Sequence, residues 1–284
     1  MGAKLQGQVA VVSGGLGDIG RAISLELARC GADVAICDLH SSAEAHPLLS
    51  NIGALERRGL YGQVDVTNDR QVSDWLDAVH TELGLPTLVI PNAAIVTVVP
   101  ILSVDSVTWR RELSVNLDGT FFLASAAARK LVRHMSPGRI VFVGSWAADH
   151  VHLQIPTYCV AKAGLRMLVK CMAAELASRG ILVNEVAPGF VDAGLAARFM
   201  EADPLERERS QRQVPTGMLI EPKDVARQVV HLCDPENCHI TGATVLMDGG
   251  LSLLGRRGWN YRNANIRRQA VRPSRPKFTA RELR

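Results

Sequence analysis

The sequence predicts an α/β protein whose first 250 residues form one domain with a doubly wound parallel sheet, followed by a basic C-terminal arm, residues 251–284. Short apolar runs alternate with helical patterns, which is typical of parallel strands joined by helices. The chain has 284 residues and 47% hydrophobic content, enough to bury one large core. Residues 1–250 contain no repeat or low-complexity linker that would divide this domain.

The first apolar run, Val9–Val12, leads into the glycine-rich segment Ser13-Gly-Gly-Leu-Gly-Asp-Ile-Gly20, and a helical pattern follows over Arg21–Cys30. Glycines lack Cβ atoms, so backbone N–H groups and the helix N-terminus can approach a pyrophosphate closely. A plain turn is the alternative. The context of strand, turn and helix favours a dinucleotide site that includes Ser13, Gly14, Gly17, Asp18, Ile19 and Gly20.

The second apolar run, Asp33–Cys37, ends at Asp38, which Leu39 and His40 follow. An acidic residue about 20 positions after the glycines can accept a hydrogen bond from a ribose 2'-hydroxyl and repels a 2'-phosphate. The nearby base, His40, is a weak phosphate clamp. The sequence therefore predicts NAD rather than NADP as the cofactor.

A third pattern lies in a long helical stretch from Tyr158 to about Arg179. Tyr158 and Lys162 are four residues apart, so they share one helical face. A nearby ammonium favours the phenolate form and lowers the pKa of a tyrosine toward the range where it works as a base. Ser145 ends the apolar run Arg139–Ser145 and is expected to donate a hydrogen bond to the reacting oxygen. An exposed helix face is the alternative reading of the Tyr-Lys pair alone.

Together these motifs resemble the short-chain dehydrogenase/reductase family over Leu5–Gly250. Further segments follow in the family's order, namely Asp65-Val66, Asn92-Ala93-Ala94, Asn116, Pro188-Gly189, Thr241-Gly242 and Asp248–Gly250. The resemblance implies a Rossmann-like fold, and we expect a single sheet of seven parallel strands with helices on both faces.

The resemblance also implies a role for each matching residue. Tyr158 is the general acid/base, and Ser145 polarises the substrate carbonyl or alcohol. Lys162 holds the nicotinamide ribose and lowers the Tyr158 pKa, while Asn116 holds a water that links Lys162 to solvent. Hydride passes between the substrate carbon and the nicotinamide, and no metal is required. The further cofactor-binding residues implied are Leu39, Asp65, Val66, Asn92, Ala93, Ala94, Pro188, Gly189 and Val191.

Three positions depart from the family pattern. Asp18 stands where the middle glycine belongs, and its carboxylate is expected to point away from the pyrophosphate. Asn92-Ala93-Ala94 has alanine where glycine is typical, and Ala193 replaces a threonine that often meets the nicotinamide carboxamide. The glycine spacing is that of extended family members such as sugar-nucleotide epimerases, but residues 251–284 are too few for their larger substrate region.

Polar residues after the serine motif indicate the substrate class. Trp146, His150, His152 and Gln154, together with a charged loop over Gly194–Pro215, favour a small polar alcohol or ketone of the sugar, polyol or hydroxy acid type. The enzymatic alternative is a 3-oxoacyl-thioester (acyl carrier protein) reductase, with Arg133 and Arg179 facing an acidic carrier. The non-enzymatic alternative is an inactive, cofactor-sensing family member with a partner- or nucleic-acid-binding tail.

Several patterns bear on location and partners. The apolar stretch Leu88–Val104 is broken by Pro91, Asn92 and Pro100, so it predicts a buried strand and its exit loop instead of a membrane span. With no apolar leader near its start, the chain is expected in the cytoplasm. Four cysteines are predicted core residues, namely Cys30, Cys37, Cys159 and Cys171. Three possible metal ligands near the end of the domain, Cys233, Cys238 and His239, lack the paired spacing of a metal site.

The arm, residues 251–284, differs sharply in charge from the rest of the chain. It has ten Lys or Arg and one acid, Glu282, so its net charge is +9 against −5 for residues 1–250. Trp259, Tyr261 and Phe278 offer anchors, and we expect the arm to dock on the acidic domain of its own or a neighbouring subunit and not on nucleic acid.

We also expect a homo-oligomer, a tetramer or a dimer. The long helix carries more apolar surface than one sheet face covers, supplied by Leu165, Leu168, Val169, Met172 and Leu176.

Overall fold

The computed structural model describes residues 4–194 and 204–253. Seven strands are formed: β1 (Val9–Ser13), β2 (Asp33–Asp38), β3 (Gly59–Gln63), β4 (Leu88–Ile90), β5 (Gly138–Val143), β6 (Ile181–Pro188) and β7 (Thr244–Met247). The helices are α1 (Asp18–Arg29), α2 (Ser42–Gly53), α3 (Asp69–Glu82), α4 (Ser106–Leu113), α5 (Thr120–Arg133), α6 (Pro156–Leu176), α7 (Pro204–Gln213) and α8 (Pro222–Cys233).

All seven strands join one parallel sheet in the order β3-β2-β1-β4-β5-β6-β7. This confirms the predicted seven-stranded Rossmann-like sheet. The strand order reverses between β1 and β4, and in such sheets the crevice at the carboxyl ends of the two strands at this point binds ligands.

Each face of the sheet has its own apolar core. Ile23 and Leu27 of α1 pack with Val229 of α8 in one core, while Leu123 of α5 and Leu165 of α6 belong to the other. Helices on both faces explain why strands such as β1 are buried throughout instead of alternating between buried and exposed residues.

Parts of the fold differ from expectation. Asn116 lies within a helix, as predicted, but this segment is a π-helical turn, Ser114–Gly119, between α4 and α5. The loop expected over Gly194–Pro215 contains α7. Cys37 is buried as predicted, whereas Cys171 is exposed because it lies on the outer side of α6.

The described residues up to Leu253 belong to one compact unit. The predicted docking of the arm, with its anchors Trp259, Tyr261 and Phe278, lies outside the described residues, as do residues 195–203 of the predicted substrate loop. Among the helices that the structure describes, none combines the length and the apolar content needed to cross a membrane.

Candidate active site

The glycine-rich turn after β1 is shaped by close approaches of the main chain. Gly14 adopts φ +62°, a left-handed conformation that favours glycine. A Cβ at Gly20 would lie 2.1 Å from the Gly14 carbonyl oxygen, so no larger residue fits there. A Cβ at Gly17 would meet only that same oxygen, at 3.5 Å, so the space beside Gly17 is open to a ligand.

The ends of β1 and β4 are joined at this turn. The Ser13 hydroxyl accepts hydrogen bonds from the N–H groups of Asn92 and Ala93, at 3.0 and 3.2 Å. The Asn92 side chain donates to the carbonyl oxygens of Ser13 and Gly14, at 3.0 and 3.1 Å. Ser13 and Asn92 therefore hold the two strand ends at the point where the strand order reverses.

Asp18 begins α1 at the mouth of this turn. Its Oδ2 accepts a hydrogen bond of 2.7 Å from the Gly194 N–H, in the segment after β6. The carboxylate thus connects the glycine-rich turn with the far wall of the cleft, which explains how an acidic side chain is accommodated at a helix N-terminus where an anion is expected to bind.

Asp38 lies at the end of β2, as the sequence predicts. Its Oδ2 accepts from the Leu16 N–H at 3.0 Å, and its Oδ1 accepts from the Leu39 N–H at 2.8 Å. The His40 Nδ1 lies 2.7 Å from the same Oδ1. The hydrogen bond with Asp38 raises the pKa of His40. Asp38 is therefore held rigidly between the glycine-rich turn and the residues that follow β2.

The catalytic group predicted from the sequence is assembled by β5 and α6. Ser145 follows β5, is almost fully buried, and its Oγ accepts from the Ala147 N–H at 3.1 Å. Lys162 is buried on α6, where its Nζ donates to the Val143 carbonyl oxygen at 2.9 Å and lies 5.5 Å from the centroid of the Tyr158 ring. The side chains of Tyr158, Lys162 and Ser145 therefore lie close together.

The protonation of this group differs from the sequence-based expectation. Burial raises the pKa of Tyr158 to about 12, although its hydrogen bond with Ser145 acts in the opposite direction. Burial also lowers the pKa of Lys162 to about 8, partly offset by the Glu185 carboxylate. The predicted lowering of the Tyr158 pKa by Lys162 is therefore outweighed, because desolvation disfavours the charged form of both groups.

Asn116 is fully buried in the π-helical turn and binds the loop after β4. Its Oδ1 accepts from the Ile95 N–H and its Nδ2 donates to the Ile95 carbonyl oxygen, both at 2.8 Å. Short π-helical turns often occur at functional sites. Because both of its side-chain groups bind the backbone of one residue, Ile95, Asn116 fixes the loop after β4.

The predicted cofactor and catalytic residues surround one cleft of about 940 Å³. Those that line it are Gly14, Gly17, Asp18, Ile19, Gly20, Asp38, Leu39, Asp65, Val66, Asn92, Ala93, Ala94, Ser145, Tyr158, Lys162, Pro188, Gly189 and Val191. Ser13 and Asn116 lie behind this lining as supports. The volume and the open N-terminus of α1 suit a dinucleotide, so the residues present fit the cofactor.

The four predicted substrate residues do not line this cleft. Trp146 stacks on His150 with ring centroids 5.7 Å apart, and its edge meets Phe190 at 5.5 Å and His152 at 6.2 Å. Gln154 adopts φ +69°, and its carbonyl oxygen accepts from the Val99 N–H at 2.6 Å. The rings of Trp146, His150, His152 and Phe190 thus form one aromatic cluster directly after Ser145.

Sequence reasoning missed several residues of the site. Leu16 supplies an N–H to Asp38, Ile95 anchors Asn116, and Val143 supplies the carbonyl that Lys162 binds. Each acts through its main chain, so residue type carries no signal. Arg166 is different, because its spacing of four from Lys162 places it on the same helical face. Within the described ranges, no group of three or more His, Cys, Asp or Glu could hold a metal ion.

A dinucleotide-sized cleft at the strand-order reversal, closed by Ser145, Tyr158 and Lys162, defines an oxidoreductase that acts on CH–OH groups with a nicotinamide cofactor. The family model described as "Enoyl-(Acyl carrier protein) reductase" matches residues 14–252. The chain belongs to the short-chain dehydrogenase/reductase family.

The chain is similar to relatives of diverse activity. It is 34% identical over 247 residues to the 3-oxoacyl-[acyl-carrier-protein] reductase FabG of Pseudomonas aeruginosa, covering 87% of this chain and 98% of the relative. It is 32% identical to the L-rhamnose 1-dehydrogenase (NAD(P)(+)) of Sphingomonas sp., covering 87% and 97%.

Solved structures confirm the fold. A short-chain type dehydrogenase/reductase from Mycobacterium marinum matches with a TM-score of 0.81 and 30% identity, over 88% of this chain and 97% of that one. A protein from Agrobacterium tumefaciens assigned as a 2-deoxy-D-gluconate 3-dehydrogenase, with bound NADP, matches with a TM-score of 0.80 and 26% identity, over 88% and 98%.

Proposed function

We propose that this protein transfers a hydride between NAD(H) and a small polar alcohol or ketone of the sugar, polyol or hydroxy acid type. The observation that carries the proposal is the joint arrangement of Asp38 at one end of the cleft and of Ser145, Tyr158 and Lys162 at the other. The bound nicotinamide supplies the hydride chemistry, and the protein orients the reactants and moves the proton.

The catalytic side chains have separate roles in proton transfer and in positioning. Tyr158 exchanges a proton with the substrate oxygen, which Ser145 holds by a hydrogen bond. Lys162, charged and close to the Tyr158 ring, stabilises the phenolate that forms during alcohol oxidation and supports the nicotinamide ribose. Because burial disfavours that phenolate, Lys162 is needed most when the proton has left Tyr158.

The choice of NAD over NADP is supported by Asp38. Its carboxylate, at the end of β2, is held by the N–H groups of Leu16 and Leu39, which hinders it from turning away from an added 2'-phosphate. The A. tumefaciens neighbour was solved with NADP, and the Sphingomonas relative is described as NAD(P)-dependent, so the preference depends on this chain's own residues.

The alternative of a 3-oxoacyl-thioester reductase is favoured by similarity to the FabG protein of P. aeruginosa. Arg133 and Arg179, which we expected to face an acidic carrier protein, are both exposed. Asp38 argues against it, since reductive biosynthesis generally draws on NADPH and Asp38 favours NAD.

A substrate panel with both cofactors separates these functions. Polyols, sugars, hydroxy acids and 3-hydroxyacyl thioesters would be assayed with NAD and NADP side by side, with Tyr158→Phe as the inactive control. We expect the highest kcat/KM for a polar alcohol with NAD. If a 3-hydroxyacyl thioester with NADP gives the highest kcat/KM, the protein is a 3-oxoacyl-thioester reductase. Tight NADH binding without turnover of any substrate would indicate an inactive, cofactor-sensing family member.

We also propose a homo-oligomer in the cytoplasm. The apolar helix residues named from the sequence are mostly used within the subunit, because Leu165 and Val169 are buried in the core. Val160 and Met167 remain exposed on α6 at a spacing of seven, so they share one face that a second subunit can cover. Light scattering at micromolar concentration tests assembly, and a monodisperse monomer would refute it. Cell fractionation tests the location.

A further inference from the structure

A buried ion pair lies directly beneath the catalytic group. The Arg166 Nε and Nη2 donate to the two carboxylate oxygens of Glu185, at 2.8 and 3.0 Å. Arg166 is 7% exposed and Glu185, in the middle of β6, is 0% exposed. This two-point geometry is the strongest that an arginine and a carboxylate can form.

The pair is tied to the residues around Ser145. The same Arg166 Nη2 donates to the Ser145 carbonyl oxygen at 2.9 Å, and Nη1 bonds the Asp149 carboxylate. Thr244 donates to the Glu185 Oε2 at 2.8 Å. Arg166 therefore connects β6 with both ends of the turn that carries Ser145.

Gly144 shows how tightly Glu185 is enclosed. A Cβ at Gly144 would lie 1.8 Å from the Glu185 Oε1, so the residue before Ser145 must lack a side chain for the carboxylate to fit. The carboxylate and the backbone of the catalytic turn are in direct contact.

The pair also belongs to the electrostatic environment of Lys162. Tyr158, Lys162 and Arg166 follow at intervals of four on α6, so two cations lie one turn apart on the same face. Glu185 faces them from β6 and stabilises the charged form of Lys162.

Two further acidic groups belong to the surroundings of this layer, Asp149 and Glu112. Asp149, after β5, pairs with Arg166 and is exposed. Glu112, from α4, is buried, binds the Thr97 N–H, and acts on Tyr158 and Cys159.

We propose that Arg166 and Glu185 are positioning residues of the catalytic site: Arg166 fixes the main chain of Ser145, and Glu185, enclosed against Gly144, holds Arg166 in place and supplies the negative charge of this layer. This inference rests on the proposed function only in its kinetic readout. The chain could instead use the pair solely to join α6 to β6, and the two roles predict different behaviour when one charge is removed.

The two single variants have opposite electrostatic effects on Lys162. Glu185→Gln removes an anion and leaves Arg166 unpaired, so Lys162 should lose its charge at lower pH. Arg166→Gln leaves the Glu185 carboxylate unpaired, so Lys162 should keep its charge to higher pH. A purely structural pair would shift the titration of Lys162 in the same direction, or leave it unchanged, in both variants.

The experiment measures Lys162 directly and then turnover. The chain has six lysines, so selective ¹³Cε labelling gives few NMR signals, and the Lys162 signal is assigned by its loss in Lys162→Gln. We expect the midpoint of the Lys162 titration to move by about half to one pH unit in opposite directions in the two variants. The alkaline limb of kcat should move in the same two directions. Arg29→Gln, which removes an exposed ion pair with Glu26, is the matched control and should leave both unchanged.

A double variant, Arg166→Met with Glu185→Met, covers the case in which a single variant does not fold, since an apolar pair often replaces a buried ion pair without loss of stability. If the double variant binds NADH normally, we expect kcat to fall at least tenfold, because the main chain of Ser145 is no longer held in position. The KM for the cofactor should stay within about twofold. Parallel shifts in the single variants, or an unchanged kcat in the double variant, would overturn the proposal. Absence of any turnover by the unmodified protein would count against the proposed function alone, since the NMR titration needs no substrate.

Discussion

The two ends of the cleft achieve their shape by different means. At the cofactor end, the turn after β1, Gly14 and Gly20 allow main-chain atoms to approach more closely than any side chain permits. At the catalytic end, between β5, α6 and β6, the charged residues Lys162, Arg166 and Glu185 are buried side by side. The cofactor end depends on glycines that lack Cβ atoms, and the catalytic end depends on buried charges that compensate one another.

This difference predicts how each end fails. An added methyl group damages the cofactor end, because main chain cannot move aside at low cost. Loss of a single charge or proton damages the catalytic end, because the remaining buried groups are left without compensation. Substitutions at the two ends should therefore separate binding from chemistry.

The largest separation is expected for Tyr158→Phe. It removes the only transferable proton proposed for the reaction and keeps the ring, so kcat should fall about 1,000-fold while NADH affinity changes little. Steady-state kinetics and NADH fluorescence titration measure the two effects. Lys162→Ala is the comparison, and it should reduce both turnover and affinity. Retention of most activity by Tyr158→Phe would assign the proton transfer to another residue.

At the cofactor end, Gly20→Ala and Gly17→Ala form a matched pair. The Gly20 methyl would overlap the Gly14 carbonyl, so we expect a loss of about 1–3 kcal/mol in unfolding free energy in addition to weak cofactor binding. Gly17→Ala meets only ordinary contact, so it should keep its stability and lose affinity alone. Thermal unfolding and NADH titration measure both variants, and equal stability of the two would contradict the steric argument.

A smaller effect is expected at the adenosine side of the cofactor end. Asp38→Ala removes the carboxylate that we propose to face the adenosine ribose, so the ratio of kcat/KM for NAD to that for NADP should fall by about tenfold to a hundredfold. Asp33→Ala, at the other end of β2, removes the exposed ion pair with Arg58 and serves as control. Equal efficiency of the unmodified protein with both cofactors would refute the role of Asp38.

The smallest effect concerns pH. The pKa of His40 is raised by Asp38, so as pH falls through that pKa the imidazolium forms and partly offsets the carboxylate. Discrimination against NADP should therefore weaken a few-fold toward pH 6 and recover above neutrality. The 2'-phosphate of NADP also titrates in this range, so the variant His40→Gln is needed to isolate the contribution of His40. An identical pH dependence in His40→Gln would remove His40 from cofactor selection.

The sequence predicted those parts of the site whose signal is local. The glycines after β1, Asp38 after β2 and the Tyr158–Lys162 spacing each depend on neighbours within one turn or one strand end, and the structure places all of them around one cleft. The order of strands and helices followed from alternation of apolar runs for the same reason.

What the sequence did not reveal depends on distant partners. Arg166 meets Glu185 across 19 positions of chain, and no periodicity links a helix residue with a strand residue. The direction of the Tyr158 pKa depends on how deeply the finished fold buries the phenol, which spacing alone does not specify. Asn116 in the π-helical turn similarly bonds Ile95, 21 positions earlier in the chain, in the loop after β4.

The pairing of β1 with β4 has a consequence for how the protein folds. β1 pairs with β2 between residues 24 positions apart, such as Val9 and Asp33, but it meets β4 through pairs 78 positions apart, such as Ala10 and Leu88. Closing the longer loop costs more chain entropy, and distant parallel pairing is slow. We therefore expect β1 and β2 to assemble before β4 joins them. Because the cleft opens at that junction, the chain should gain its affinity for the cofactor only after β4 has joined β1.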